Sequence, residues 1–232
     1  MTRTWISKVN DAAIEPVLAR PSANPTLKAA ITDLLREAAD RFIVPRFQNL
    51  QSQDIATKTS DTDFVTIADQ QAEAWLAPKL SVLQPGFVIG EEAASLTPAI
   101  RDQIPHGYGW TIDPLDGTKN FVKGKPAFCS MVALLWNGQP VQSWIWQPLT
   151  QTLFYAAEGQ GAVRIDKNGT ADLRLENRSD DVDLMFGSGN SLGLIEPQKS
   201  AFQARLRLLA GRRFTGSAGI QACLIASGDE DF

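Results

Sequence analysis

Apolar residues recur with helical spacing in two segments near the start of the chain. The spacing predicts an amphipathic helix over residues 26–41, limited by Pro45, and a second helix over residues 67–83. Thr66 and Asp69 mark the start of the second helix in the form of a capping box, with Asp in the place of the usual Glu. The residues before Pro25 lack this periodicity, and we expect them to form an arm.

Short apolar runs predict a sheet in the middle of the chain. These strands fall at residues 87–89, 108–112, 130–136, 141–146 and 153–157. Asn137-Gly138 and Lys167-Asn168-Gly169 mark two hairpins. Beyond them the pattern predicts a strand over residues 183–186 and helices over residues 197–210 and 217–227. This order of elements predicts a layered α/β fold with mixed sheets.

Composition narrows the class of protein. Of 232 residues, 44% are hydrophobic and 21% are charged, which fits one large domain or two packed halves and disfavours disorder, collagen and coiled coil. The net charge of −4 argues against nucleic acid or an anionic membrane as a partner. One histidine and two distant cysteines argue against polyhistidine or thiolate metal sites. Because no signal-peptide pattern or membrane-length apolar stretch is found, we expect a cytoplasmic protein.

Carboxylates follow two of the predicted strands. Asp113 and Asp116 belong to the segment Asp113-Pro114-Leu115-Asp116-Gly117-Thr118, which we expect to form one tight turn on which the two side chains converge. The N–H groups of Gly117 and Thr118 would then point outward as a phosphate cradle. The segment therefore predicts a site that joins acids to an anion-binding backbone.

Each acidic segment also has an ordinary interpretation. Residues 113–118 could be a surface turn, Glu91-Glu92 a solvated pair at a strand end, and Asp63 a cap for the helix that follows. If Glu91, Asp113 and Asp116 share a pocket, each like-charge pair at about 4 Å costs on the order of 4 kcal/mol at an effective dielectric of 20. Such a cluster must take up protons or bind cations, and oxygen donors suit hard divalent ions such as Mg²⁺.

Three motifs carry a resemblance to a known family. They are Asp63-x-Val65-Thr66-x-Ala68-Asp69, Gly90-Glu91-Glu92 and Trp110-x-Ile112-Asp113-Pro114-Leu115-Asp116-Gly117-Thr118-x-Asn120-Phe121. Together they resemble the inositol monophosphatase family of magnesium-dependent, lithium-sensitive phosphatases, from about Leu27 to the last residue. The resemblance implies a homodimer and the αβαβα sandwich that this family shares with fructose bisphosphatases.

The resemblance also implies roles for individual residues. Glu91, Asp113 and the main-chain carbonyl of Leu115 would hold a first Mg²⁺, Asp113 and Asp116 a second, and Asp63 a weaker third ion through water. A metal-activated water, oriented by Glu91 and Thr118, would attack a phosphomonoester in line. The substrate would contact Asp116, Gly117, Thr118, Gly216, Ser217 and Ala218.

The chain departs from the family pattern near Phe232. Relatives carry a Trp-Asp-x-x-Ala-Gly motif whose Asp completes the second metal site, and the sequence reaches Phe232 before it. We expect an omitted continuation; were Phe232 the native end, the second ion would bind weakly and turnover would be low. The expected division is an N-terminal α+β half over residues 1–150, with the metal site, and a C-terminal α/β half over residues 151–232.

The substrate is less sharply indicated than the reaction. Lys119 and Gly124-x-Pro126-x-Phe128 resemble the histidinol-phosphate phosphatase branch, although Lys119 also has an ordinary interpretation as a solvated cation. The expected substrate is a small polyol or amino-alcohol phosphate, either inositol monophosphate or histidinol phosphate. Two alternatives stay open: a non-catalytic regulatory or binding protein of the same fold, and a 3′(2′),5′-bisphosphate nucleotidase or fructose-1,6-bisphosphatase.

Overall fold

The computed structural model describes residues 24–57, 64–104, 106–175, 182–189, 191 and 193–231. Asp63 and residues 1–23 of the predicted arm lie outside these ranges. The helices are α1 (Pro25–Ala38), α2 (Ile67–Leu83), α3 (Glu91–Leu96), α4 (Thr118–Val122), α5 (Gln198–Leu206) and α6 (Ala218–Ala226). Short π- or 3₁₀-helical turns cover Ala39–Ile43, Val44–Arg46, Ser52–Asp54, Pro98–Gln103 and Val182–Leu184.

A seven-stranded sheet forms the centre of the fold, with its strands in chain order from β3 to β9. They are β3 (Phe87–Gly90), β4 (Tyr108–Asp116), β5 (Cys129–Trp136), β6 (Gln139–Gln147), β7 (Thr152–Ala157), β8 (Gly161–Asp166) and β9 (Gly169–Leu173). β3 and β4 are parallel, and from β4 onward each pair of neighbours is antiparallel. The sheet runs across residue 150, and the division into halves at that residue stays a prediction.

Two smaller sheets accompany the large one. β1 (Ile55–Thr57) pairs antiparallel with β2 (Phe64–Thr66), which leads directly into α2. β10 (Phe186–Gly187) pairs in parallel with β11 (Gly211–Arg212). Both predicted hairpins of the large sheet are confirmed. Asn137 and Gly138 have φ of 47° and 80°, as the two-residue turn between β5 and β6 requires.

The first two helices cover one face of the large sheet. α2 buries Ala68, Ala72, Leu76 and Leu80, each 0% exposed and four residues apart, so that a single stripe faces the sheet. Together with the buried stripe of α1 they form one core with the alternate sheet residues that point the same way, among them Trp110, Trp144 and Trp146. Burial of this stripe confirms the helices predicted from apolar spacing.

α6 lies on the opposite face of the sheet. A small cavity of about 150 Å³ separates it from the strands, lined by Ser143, Ile145 and Phe154 on the sheet and by Ala222, Cys223 and Ala226 on the helix. Helices therefore flank the sheet on both sides, and the predicted layered α/β fold with mixed sheets is confirmed. Within the described ranges, no helix has the length and apolar character needed to cross a bilayer.

Two predicted elements near the C-terminal part differ from the structure: the strand is wrong, and the helix is present but shorter than predicted. The strand expected over residues 183–186 is a 3₁₀ turn at Val182–Leu184 followed by the two-residue strand β10. The helix expected over residues 197–210 ends at Leu206, because the chain must turn into β11: the N–H of Ala210 donates to the carbonyl of Met185 at 2.9 Å. Pairing between distant segments thus overrides the local helical pattern.

Truncation of the α2 stripe should destabilise the protein. Leu76→Ala is expected to lower the free energy of unfolding by about 2–5 kcal/mol, because it leaves a cavity in the core. Val82→Ala on the same helix, where the side chain is 82% exposed, should change it by less than about 0.5 kcal/mol. Urea denaturation measures both, and equal losses would show that α2 does not carry the core as described.

Candidate active site

The register of β3 and β4 brings the first two candidate acids together. The strands are parallel, with Gly90 opposite Ile112, so the residue that follows each of these lies at the same edge of the sheet. Those residues are Glu91, the first residue of α3, and Asp113. Their carboxyl groups form a hydrogen bond with each other. A close pair of acids therefore marks this edge, as the sequence predicted.

A β-bulge, not a tight turn, aligns Asp113 with Asp116. β4 continues to Asp116, and its register with β5 shifts between the pairs Asp113–Met131 and Asp116–Cys129, so three steps on β4 match two on β5. In a regular strand, residues three apart point to opposite faces; the extra residue returns both acids to the same face. Pro114 fits here because a bulge frees it from donating an N–H. The predicted turn over residues 113–118 is therefore wrong in its backbone, although the two side chains do converge.

The environment of Asp113 strongly favours its protonated form. Burial, the negative charges of Glu91 and Asp116, and the hydrogen bond that protonated Asp113 donates to the Glu91 carboxylate raise the pKa of Asp113 from 3.8 to about 9. The N–H of Leu115, which donates to Asp113 Oδ1 at 3.1 Å, opposes this shift. The Glu91–Asp113 pair thus holds a proton near neutral pH, where a cation could compensate the same negative charge instead.

Asp116 joins the sheet to the start of α6. Its Oδ2 accepts the hydroxyl of Ser217 and the N–H of Gly219 at 2.7 Å, and its Oδ1 accepts the N–H of Ala218 at 3.2 Å. These donors form the first turn of a nine-residue helix, whose dipole favours a negative group at this end. Asp116 therefore brings Ser217 and Ala218, which the family resemblance assigns to the substrate, to the same edge of the sheet as the acids.

Glycine is required where α4 and α6 begin. Gly117 has φ of 90°, and a Cβ there would lie 2.8 Å from the carbonyl oxygen of Ala127. A Cβ on Gly219 would lie 2.4 Å from Cys129 Sγ, so α6 can approach β5 this closely only without a side chain. Both contacts keep the backbone around Asp116 compact.

Thr118 is held by two acceptors. Its hydroxyl lies 3.1 Å from Asp69 Oδ1 and 2.9 Å from the carbonyl oxygen of Leu115, so the proton is directed to this side. Asp69 is 1% exposed, and burial raises its pKa to about 6 although hydrogen bonds from Thr66 and Thr118 oppose the shift. Because the Thr118 hydroxyl already donates its proton to these acceptors, its oxygen can still accept a hydrogen bond from a group on its opposite side.

The buried carboxylate of Glu73 was not predicted as part of the site. Its two oxygens accept the N–H groups of Glu92 at 2.9 Å and Ala93 at 3.0 Å, which follow Glu91 in α3. The sequence signal that could have found it is an acid on the apolar face of a helix: Glu73 lies four residues after Asp69, between Ala72 and Leu76.

Asn120 was likewise not assigned a role from the sequence. Its amide N–H₂ donates to the carbonyls of Ala127 and Thr215 at 2.7 and 2.8 Å and so ties α4 to the segment before α6.

The donor chemistry of this edge fits a hard divalent cation. Glu91 and Asp113 offer carboxyl oxygens in place of a shared proton, and the carbonyl of Leu115 keeps one lone pair beyond its bond to Thr118. Among the described residues, no three His, Cys, Asp or Glu side chains already stand in the arrangement of a metal site. The predicted site for a third metal ion depends on Asp63, which lies outside the described ranges.

Comparison with known proteins shows the family to which the chain belongs. A sequence model described as the inositol monophosphatase family matches residues 24–232. The chain is 30% identical over 216 residues to the Nus factor SuhB of Xylella fastidiosa, covering 91% of this chain and 72% of the relative. It is 29% identical over 229 residues to the inositol-1-monophosphatase SuhB of Mycobacterium tuberculosis, covering 92% of this chain and 77% of the relative.

A solved structure extends the agreement to the fold. Mycobacterium tuberculosis SuhB superposes with a TM-score of 0.68 at 27% identity, covering 89% of this chain and 75% of the other. The matched region contains α2, β3, β4 and α6, the elements that carry the acids and the motif at residues 216–218. The chain therefore belongs to the inositol monophosphatase family, and with it to the predicted class of phosphoric monoester hydrolases.

Proposed function

We propose that this chain is a Mg²⁺-dependent phosphomonoesterase that hydrolyses a small polyol or amino-alcohol phosphate, with inositol monophosphate and histidinol phosphate as the leading substrates. The observation that carries the proposal is the paired carboxyls of Glu91 and Asp113, with the charge of Asp116 beside them. A buried acid cluster of this kind is costly unless a cation or a proton compensates it. Family membership makes the cation the better choice.

Specific residues would hold the cations. Glu91, Asp113 and the Leu115 carbonyl would bind the first Mg²⁺, and Asp113 with Asp116 the second; Asp63 would serve a weaker third ion. When bound, Mg²⁺ supplies positive charge that neutralises the acids, polarises the phosphate and eases ionisation of water. Asp116 accepts three donors at α6, two of them on Oδ2, so its share in a second site would use the remaining lone pair of Oδ1.

The chain's own groups can orient water and phosphate. Thr118 donates its proton to Asp69 and Leu115, so its oxygen can accept one hydrogen of an attacking water, and the Glu91 carboxylate can accept the other. The N–H groups of Gly117 and Thr118, at the start of α4, would bind phosphate oxygens. Gly216, Ser217 and Ala218 would line the substrate on the α6 side, where Ser217 and Ala218 also fix Asp116. In-line attack by this water on phosphorus needs no covalent enzyme intermediate.

Several finer properties belong to the same proposal. Lithium would inhibit the enzyme and the protein would act as a homodimer, as the resemblance of its motifs to the family implies. Its location would be cytoplasmic, as expected from the sequence. Lys119 is exposed at the start of α4, next to Thr118, where it would favour the histidinol-phosphate type of substrate. A regulatory role is the second candidate, favoured by the name Nus factor that the Xylella fastidiosa relative carries.

A panel of substrates separates these functions. We expect Mg²⁺-dependent phosphate release from inositol 1-phosphate or histidinol phosphate, lost in EDTA and reduced by lithium. Faster release from 3′-phosphoadenosine 5′-phosphate or fructose 1,6-bisphosphate would move the assignment to a bisphosphatase. If none of the four esters is hydrolysed with Mg²⁺ present, the phosphatase proposal fails for them and the regulatory role becomes the better one.

Removal of one carboxylate should abolish turnover. Asp113→Asn keeps the shape of the side chain but removes the charge shared by both proposed ions, so kcat should fall by about 100-fold or more. Asp172→Asn, at an exposed position on β9, is the matched control and should leave turnover unchanged. Wild-type rates in Asp113→Asn would remove this residue from the site.

The effect of the same variant on stability should depend on pH and on Mg²⁺. The pKa of Asp113 is about 9 in the folded protein and has its ordinary value of 3.8 in the unfolded chain, so ionisation of the unfolded chain lowers stability progressively as pH rises between these values. In EDTA, Asp113→Asn should therefore be more stable than wild type at about pH 8, and the difference should shrink towards about pH 5. Excess Mg²⁺ should stabilise the wild type more than the variant. Urea denaturation measures the differences, and a gap independent of pH would contradict the assigned shift.

A further inference from the structure

The β-bulge in β4 places two residues opposite a single residue of β5. The register leaves Pro114 and Leu115 together facing Ser130. A bulge interrupts the regular ladder, so backbone groups of the longer strand lose their usual partners. Both residues of β4 are buried, which gives their backbone groups little access to water. The bulge therefore needs hydrogen-bond donors from the protein itself.

Ser130 provides one such donor. Its hydroxyl donates to the carbonyl oxygen of Pro114 at 2.7 Å, an ordinary length for an O–H···O bond. Ser130 is 1% exposed, so solvent cannot take the place of this contact. Removing a donor from a buried carbonyl is costly. The bond therefore holds the carbonyl of the bulge in one direction.

The other end of the same peptide group reaches Asp113. The carbonyl of Pro114 and the N–H of Leu115 belong to one planar unit, which is trans, so the two groups point in opposite directions. The N–H donates to Asp113 Oδ1 at 3.1 Å. One rigid group thus connects the Ser130 hydroxyl to the Asp113 carboxylate.

Ser130 lies on the opposite face of the sheet from the acids. Its partner on β6 is Trp146, whose side chain belongs to the core beneath α1 and α2. Directly opposed residues of neighbouring strands point to the same face, so Ser130 points towards these helices. Asp116 points the other way, towards α6, where it accepts the N–H of Gly219. Ser130 is therefore placed to influence the proposed ions through the backbone and not by direct contact.

A hydrogen bond at one end of a peptide group strengthens the bond at the other end. The Ser130 hydroxyl polarises the Pro114 carbonyl, which makes the Leu115 N–H a better donor. It also fixes the rotation of the peptide plane, and with it the direction of the N–H. Asp113 is repelled by the two neighbouring acids, so its carboxyl group needs such a contact to keep one orientation.

We propose that Ser130 positions Asp113 for metal binding: it holds the carbonyl end of the Pro114–Leu115 peptide, so that the N–H end stays directed at the Asp113 carboxylate. The proposal rests on the function proposed above, in which both Mg²⁺ ions share Asp113. Ser130 is then a positioning residue and not a ligand. Contacts that orient a ligand in this way are typically worth about 10- to 100-fold in metal affinity or activity.

Ser130→Val and Ser130→Thr form a matched pair of variants. The two new side chains have nearly the same shape, and only Thr keeps the hydroxyl. We expect Ser130→Val to weaken Mg²⁺ binding by about 10-fold in titration calorimetry and to raise the Mg²⁺ concentration for half-maximal turnover by about the same factor. Ser130→Thr should stay within about 3-fold of wild type. Equal losses in both variants would assign the effect to volume and overturn the proposal.

Thr152→Val is the control for a general loss of stability. Thr152 is also buried on this sheet, at 9% exposure, and its hydroxyl donates to the carbonyl oxygen of Thr150 at 3.4 Å. This variant should be less stable than wild type in urea, as Ser130→Val should be, but its Mg²⁺ affinity should be unchanged. A loss of Mg²⁺ affinity as large as that in Ser130→Val would reject the proposal.

Hydrogen exchange gives a readout that needs neither metal nor turnover. In EDTA, the amide of Leu115 should exchange about 10-fold faster in Ser130→Val than in Ser130→Thr, because the displaced peptide loses its bond to Asp113. Equal exchange in the two variants would contradict the role of the hydroxyl. If Ser130→Val fails to fold, Ser130→Ala removes the same donor without adding volume and is measured in its place.

Failure of the proposed function would give a different result. A wild-type protein that binds Mg²⁺ but hydrolyses no phosphomonoester would reject the phosphatase, while calorimetry on the Ser130 variants would still decide the positioning role. An active wild-type protein with equal Mg²⁺ affinity in Ser130→Val and Ser130→Thr would reject the positioning role alone. A wild-type protein that binds no Mg²⁺ would reject both.

Discussion

The hydrogen bond between the carboxyls of Glu91 and Asp113 is the constraint around which the site is organised. The parallel pairing of β3 with β4 ends at Gly90 and Ile112, and the next residue on each side is an acid, so repulsion between the two acids is built into the register. A free-standing pair of this kind would push α3 away from β4. Three interactions offset this repulsion: the N–H of Leu115 donates to Asp113, the first turn of α6 donates to the neighbouring Asp116, and a proton is shared between Glu91 and Asp113.

The acids at this edge of the sheet destabilise the folded protein. Burial raises the pKa of Asp113, so the folded protein tolerates the ionised acid poorly unless a cation accompanies it. Packing of α1 and α2 against the sheet, through a stripe of buried residues, stabilises the fold. This packing offsets the destabilisation that the acids cause. A functional site of this type is easier to keep on a rigid scaffold than on loops, because each acid must be held against its own repulsion.

The sequence predicted the fold well wherever a periodic pattern coincided with a buried stripe, as in α2 and in the hairpin at Asn137-Gly138. It predicted that Glu91, Asp113 and Asp116 would converge, but assigned a turn where there is a bulge. A bulge depends on which residues of β5 lie opposite, which no local pattern of β4 records. The role of Glu73 escaped for a related reason: its partners, the amides after Gly90, are defined by packing of α2 against the end of β3.

The contacts of Asp116 join residues that are far apart in the chain. Ser217, Ala218 and Gly219 lie 101, 102 and 103 positions after it. During synthesis, β4 leaves the ribosome long before α6 exists, so Asp116 spends that interval without the helix that satisfies it. Closing so long a loop is entropically expensive and slow compared with forming a hairpin. The edge of the sheet that carries Asp116 is therefore among the last parts of the nascent protein to acquire its final arrangement.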